Sequence, residues 1–187
     1  KACARCKTAY CSVACQTAAW PAHKPVCKKI KAAGGPGVYA AEQAAQAAAD
    51  EATAACATSV PGDAVCYICR DDWSKVGLVR GCACRGYSGL AHVKCLVRQA
   101  RAAMDDLSRD DGWARWNTCD QCKQSFHGVV KLALARACIA TYATRPEGDW
   151  DRCGAAAALG NALQTNGRSR EAAPIFERNL ANLRKYW

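Results

Sequence analysis

The sequence predicts a mostly α-helical chain stapled by small metal-bound fingers and ending in a helical hairpin. Three observations predict it. Cysteine is over-represented, with 15 in 187 residues, near the level at which composition alone marks a cysteine scaffold. The cysteines fall in two runs, 3–27 and 66–122, paired at short offsets with His23 and His92 among them. Between and after these runs the chain is rich in alanine and takes up helical spacing.

The first observation admits two chemistries, disulfides or thiolates on metal. The count is odd, histidines share the pattern, and no secretory signal is visible in a sequence that opens at Lys1. Metal binding in an intracellular protein, cytoplasmic or nuclear, is the expectation, and the chain reads as part of a longer one. No apolar run reaches the roughly 18–20 residues that a membrane span needs. The formal charge of +10 overstates the working charge, because ligand cysteines are thiolates. Two three-thiolate sites at −1 and one four-thiolate site at −2 would bring it to about +6. Residues 1–35 hold seven Lys or Arg and no acid. Such a stretch can meet nucleic acid or an acidic partner, but it reads first as a solvated face offsetting nearby thiolates.

Along the chain, Gly34-Gly35-Pro36-Gly37 breaks regular structure. Residues 38–57 are 11 alanines in 20, a strong helix former with few large side chains, so a loosely packed helical linker over 32–61 is expected. Pro61-Gly62 ends it. From Val129 onward only Cys138 and Cys153 remain of the cysteines.

In the first run the order is Cys3-x2-Cys6, Cys11-x3-Cys15, His23-x3-Cys27. A C-x2-C pair forms a tight knuckle that aims two sulfurs at one metal about 2.3 Å away. Cys11 and Cys15, and again His23 and Cys27, stand four apart, one face of a helix. The stretch Tyr10-Cys11-Ser12-Val13-Ala14-Cys15-Gln16, followed by Trp20-Pro21, His23-Lys24 and Cys27, resembles the MYND zinc finger over residues 1–31. The resemblance implies a complete zinc site of Cys3, Cys6, His23 and Cys27. It makes Cys11 and Cys15 half of a second site, whose other pair would lie upstream of Lys1. It also implies recognition of short, often proline-containing peptides of partner proteins, with Gln16 and Trp20 on the contact surface. Trp20 serves equally well as a packing residue over the metal. Nothing resembles the methyltransferase domain that some such proteins carry.

The second run reads Cys66-x2-Cys69-x12-Cys82-x-Cys84-x7-His92-x2-Cys95-x23-Cys119-x2-Cys122, eight donors, enough for two tetrahedral sites. Cys82 and Cys84 suit one side of an extended segment, and His92 and Cys95 the first turn of a helix over 91–103. Cys82-Ala83-Cys84-Arg85-Gly86, His92-Val93-Lys94-Cys95-Leu96 and Cys119-Asp120-Gln121-Cys122-Lys123 resemble the RING-CH, or variant RING, finger over 62–127. The resemblance implies a cross-brace α+β fold. One zinc would go to Cys66, Cys69, His92 and Cys95, the other to Cys82, Cys84, Cys119 and Cys122. It further implies a ubiquitin ligase that holds a ubiquitin-conjugating enzyme through Ile68 and Lys123 without supplying a nucleophile. The docking groove of that family usually carries a Trp where this chain has Gln99, and a missing aromatic anchor weakens an interface. A non-catalytic adaptor or scaffold is therefore the alternative. A PHD-like histone reader shares the ligand order. The seven residues before His92, and Asn117 where that finger has a Trp, count against it. The 23-residue insert with Asp105, Asp106, Asp110 and Asp111 adds negative charge beside the groove, and its Trp113 and Trp116 read as core packing.

In the tail, Ala156, Leu159, Gly160 and Leu163 recur at helical spacing, Asn166-Gly167 stops that helix, and Ala172, Ile175, Phe176 and Leu180 line the next. Within a helical region over 128–187, this hairpin at about 149–182 resembles a tetratricopeptide repeat, which implies further repeats beyond Trp187. Cys56, Cys138 and Cys153 read as buried small residues, and His127 as structural or exposed. There is no phosphate loop, catalytic triad or H-E-x-x-H. Four protein donors per site leave no open position for a metal-bound water.

Overall fold

The computed structural model describes residues 1–72, 76–106 and 112–187; Asp110 and Asp111 lie outside them. Among the described residues six helices carry the fold: α1 Val13–Ala32, α2 Pro36–Cys56, α3 Val93–Asp105, α4 Gly128–Tyr142, α5 Trp150–Thr165 and α6 Ser169–Tyr186. Two 3-10 turns, Ala57–Ser59 and Gly112–Trp116, complete the set. Extended structure among the described residues is limited to four isolated antiparallel bridges, all inside the fingers: Ala2 with Ala9, Val65 with Asp72, Val79 with Ala91, and Thr118 with Ser125. The protein is mostly helical with small finger modules, ending in the α5–α6 hairpin.

Local chemistry sets the helix ends. Ser12 caps α1, its Oγ accepting from the Cys15 N–H at 3.1 Å. Cys11 therefore lies outside the helix, and the expectation that it shares a helical face with Cys15 is corrected, because the cap at Ser12 starts the helix at Val13, two residues after Cys11. Between α1 and α2, Gly34 and Gly35 hold φ of 95° and 131°, and Pro36 opens α2 where its missing N–H costs nothing. The helix expected over 91–103 begins instead at Val93 with His92 as its cap. Asp149 caps α5 by accepting from the Arg152 N–H at 3.1 Å, and Asn166-Gly167, with Gly167 at φ 74°, ends it.

The alanine-rich α2 packs tightly, contrary to the loose linker expected from its composition. Ala48, Ala52 and Cys56, four apart on one face, are buried and share one core with Ala64, Leu78, Val79, Leu90, Val93 and Leu96 of the middle finger and Val130, Ala133 and Leu134 of α4. Alanine lets two helix backbones approach closely, and Ala52 of α2 and Ala133 of α4 are both fully buried in this shared core. A second core, Leu132, Leu159, Leu163 and Ala172, joins α4 to the α5–α6 hairpin. The insert of the middle finger enters a third. Trp116 is buried with Ala100, Cys138, Tyr142 and Ala155, and Trp113 lies against the Tyr142 ring, 5.7 Å between centroids. The finger at residues 1–31 has a separate small core, Cys3, Cys6, Cys27 and Ile30, bordered by Tyr10, Val26 and Tyr39.

Candidate metal centres

Three knuckles recur with one backbone plan. In the first, the Lys7 N–H donates to the Cys3 carbonyl at 2.9 Å and the Cys3 N–H to that of Thr8 at 2.9 Å. In the second, the Arg70 N–H donates to Cys66 at 2.9 Å and Cys66 to Asp71 at 2.8 Å. In the third, the Lys123 N–H donates to Cys119 at 2.9 Å and Cys119 to Gln124 at 2.9 Å. Each bridge noted above closes around one knuckle, except that of Val79 with Ala91, which ties the strand-like arm before Cys82 to His92. The residue after each second cysteine is left-handed: φ is 65° at Lys7, 67° at Arg70 and 58° at Lys123. These are the three non-glycine residues with positive φ among those described. The turn that aims both sulfurs inward imposes this conformation at roughly 1–2 kcal/mol each.

The donors gather in three sets, each with its ligand atoms within 4.8 Å of one another: Cys3, Cys6, His23, Cys27; Cys66, Cys69, His92, Cys95; and Cys82, Cys84, Cys119, Cys122. The second and third sets interleave along the chain, which is the cross-brace. Distances fit zinc. A tetrahedral Zn²⁺ with sulfurs at about 2.3 Å sets them about 3.8 Å apart. Cys3 and Cys27 Sγ are 3.8 Å apart, and Cys84 and Cys119 Sγ 3.9 Å. His23 presents Nε2, 3.3 Å from Cys6 Sγ. His92 presents Nδ1, 3.4 Å from Cys69 Sγ and 3.7 Å from Cys95 Sγ. Its Nε2–H then donates to the Asp72 carbonyl at 3.1 Å, an outer contact that fixes both ring orientation and tautomer. All fifteen cysteines are free.

Electrostatics also call for a cation. Burial, then the neighbouring sulfurs, pushes Cys27 up to about 11, Cys84 up to about 11 and Cys95 up to about 12. Backbone N–H groups pull the other way at the knuckles: those of Cys6 and Arg5 bring Cys3 down to about 6, and that of Gln124 brings Cys122 down to about 7. Four thiols packed in one site cannot all ionise without a positive ion between them. Zn²⁺ satisfies the thiolates and displaces the remaining protons. Every donor is buried or half-buried, so these are closed structural sites.

The remaining sequence-selected residues fall differently. Cys11 and Cys15 are exposed, and among the described residues no further donor joins them. Gln16 is half-buried. Trp20 is 43 % exposed while its ring lies 5.8 Å from that of His23, so it both covers a donor and faces solvent. Ile68 is half-buried at the second knuckle. Gln99 is half-buried on α3, its Oε1 accepting from the Tyr67 hydroxyl at 3.1 Å. Lys123 is exposed and pairs with Asp120 at 2.8 Å. Sequence reasoning missed Tyr67, although an aromatic inside a knuckle was visible. It also missed Gly89, which turns at φ 72° where a Cβ would lie 2.7 Å from the Cys84 Cβ and 3.1 Å from the Cys82 sulfur. Cys56, Cys138 and Cys153 are buried, with Cys138 pushed up to about 12 by burial, and His127 is exposed.

Comparison with protein families agrees with this geometry. Residues 1–27 match the MYND finger family and residues 66–123 the RING-variant domain family. No curated protein and no solved structure matches the chain. The chain is thus a zinc-finger protein-interaction protein. It carries a MYND finger and a RING-variant domain, and its Cys/His clusters suit zinc. No helix among the described residues is long and apolar enough to cross a membrane.

Proposed function

We propose that the RING-variant finger docks a ubiquitin-conjugating enzyme weakly and that the protein acts as a ubiquitin ligase of low intrinsic activity. The observation that carries this reading is the tie between the second knuckle and α3: Tyr67, the residue before Ile68, donates its hydroxyl to Gln99 Oε1 at 3.1 Å. In this reading Ile68 of the second knuckle is the apolar contact, and Lys123 of the third knuckle, in an exposed ion pair worth little, is the donor. Each of the three donor sets takes one Zn²⁺, two in this finger and one in the first, while Cys11 and Cys15 stand as a half-site. The modules are bounded as 1–31, 32–61, 62–127 and 128–187. We read the α5–α6 hairpin as a tetratricopeptide-like repeat. In support, Ala172 is buried between the helices, and a Cβ on Gly160 would meet the Phe176 ring at 2.5 Å.

Discharge of a ubiquitin-loaded conjugating enzyme tests the reading. Truncating a central aromatic commonly costs about 2–4 kcal/mol, so Gln99→Trp should strengthen docking and speed discharge. Ile68→Ala should abolish the remaining activity with zinc content unchanged, since Ile68 is not a donor. Gln99 itself favours a second reading, a non-catalytic adaptor, because its amide is already engaged by Tyr67. Inactivity of wild type and both variants with every conjugating enzyme in a panel would establish the adaptor.

A further inference from the structure

The sequence reading left the basic charge of residues 1–35 as a solvated face; the structure arranges part of it. Val13, Thr17, Trp20, Lys24, Lys28 and Lys31 are all exposed on α1. At 3.6 residues per turn they form one continuous stripe, roughly a quarter turn from the edge that buries His23, Cys27 and Ile30. The apolar members, Val13 at 58 % and Trp20 at 43 % exposure, stand at the N-terminal end, and three lysines follow. The lysines are exposed whereas Cys27 is buried, and a three-thiolate site would offset only one of the seven cations in this segment. Elsewhere several cations are matched within the fold, among them Arg115 and Lys123 with Asp120, Arg145 with Asp149 and Asp151, Arg168 with Glu171, and Arg178 with Glu147. No ion pair among the described residues joins any of the seven to a carboxylate.

We infer that the α1 stripe is a docking surface for an acidic peptide segment, with an apolar side chain against Trp20 and Val13 and carboxylates along Lys24, Lys28 and Lys31. The inference rests on the reading of the first finger as a peptide-binding module and names the chemistry of its partner. An aromatic anchor flanked by unpaired charges of one sign is the arrangement that gives a short peptide both affinity and direction. Nucleic acid is disfavoured because the stripe offers one ring, where single-strand grooves stack successive bases on several.

The test uses the full chain in its zinc-loaded form and fluorescence anisotropy of a labelled 12-residue peptide bearing one leucine and four glutamates. Two further peptides carry lysines, or neutral residues with prolines, in place of the glutamates, and single-stranded DNA of 12 nucleotides is the fourth probe. The acidic peptide should bind most tightly, with affinity that falls as salt rises. Trp20→Ala and the triple change Lys24→Glu, Lys28→Glu, Lys31→Glu should each weaken it by about tenfold or more, with zinc content unchanged. The triple variant should instead gain binding to the lysine peptide, a rescue that misfolding cannot mimic. Equal binding of the neutral peptide, insensitive to the lysines, would overturn the acidic class and spare the peptide-binding reading. Tighter binding of DNA would overturn it in favour of nucleic acid, and failure of all probes would overturn both readings.

Discussion

The two fingers use the same knuckle, yet they are supported in different ways. The first finger's donors are bordered by a handful of apolar residues, Ile30, Val26, Tyr10 and Tyr39, and one of these, Tyr39, comes from beyond the finger. The middle finger's donors sit in a core to which α2 contributes Ala48, Ala52 and Cys56 and α4 contributes Val130, Ala133 and Leu134. A chain segment too small to bury a sizeable core depends on its metal, and the first finger is in that position. In the middle finger, metal and hydrophobic core are coupled, so each should be felt through the other. The difference teaches that identical ligand chemistry is a local staple in one place and part of a long-range core in another.

The largest effect that could break this comparison is metal removal, since a structural zinc contributes on the order of 10 kcal/mol to folding. Native mass spectrometry of the intact chain should show three zincs. Graded chelation should strip the first finger first, with little change in helical circular dichroism from α4 to α6. Loss of the middle pair should unfold α4 with it. Survival of α4 after both middle zincs leave would end the claim of a shared core.

Next in size is loss of a single donor. His92→Ala should cost the same zinc as Cys66→Ala and leave Cys82, Cys84, Cys119 and Cys122 loaded, as read by metal stoichiometry and cysteine alkylation. Should His92→Ala expose Cys82 and Cys84 to alkylation while Cys66 stays protected, the interleaving is wrong.

Gly89→Ala should then separate the fingers at a cost of about 1–3 kcal/mol. The new methyl would strain a left-handed turn and press on Cys84 and Cys82. Thermal unfolding of the middle finger should come earlier, and its zinc should leave at lower chelator concentration, with the first finger's zinc unaffected. Ala52→Leu tests the same coupling from the helix side, since overpacking a closed alanine contact costs about 1–3 kcal/mol. It should lower the melting temperature of the middle finger without touching any donor. An unchanged melting temperature would show that α2 is not part of that core.

The smallest effect sharpens the likeness between the fingers. Lys7→Gly and Lys123→Gly should each gain about 0.5–1 kcal/mol by relieving a left-handed side-chain residue, the same amount in both fingers. Unequal gains in denaturant unfolding would mean that the two knuckles are strained differently.

Much of this was legible in the sequence, for reasons that can be assigned to particular residues. The knuckles at 3–6, 66–69 and 119–122 close with hydrogen bonds spanning at most five residues, so their shape follows from C-x2-C spacing alone. The α1–α2 break and the end of α5 were readable because Gly34, Gly35 and Gly167 take backbone angles that other residues resist. The alanine run was read correctly as a helix and wrongly as a loose one. Composition reports helix propensity, whereas packing depends on which face meets a partner, and the α4 residues that share Ala52's core lie some eighty residues away in sequence. The start of α1 was misjudged at Cys11 because a cap at Ser12 outranks side-chain periodicity.

By itself the sequence determined the chemistry: which side chains can hold zinc and the local turns that aim them. Local hydrogen bonds and donor identity need no tertiary context. Tertiary structure decided how those pieces support one another. It placed an alanine helix in the middle finger's core, closed Tyr67 onto Gln99 across 32 residues, and left the lysines of α1 exposed along one stripe. Each of these depends on the angle at which one element meets another, and that angle is set by the summed fit of side chains far apart in the chain.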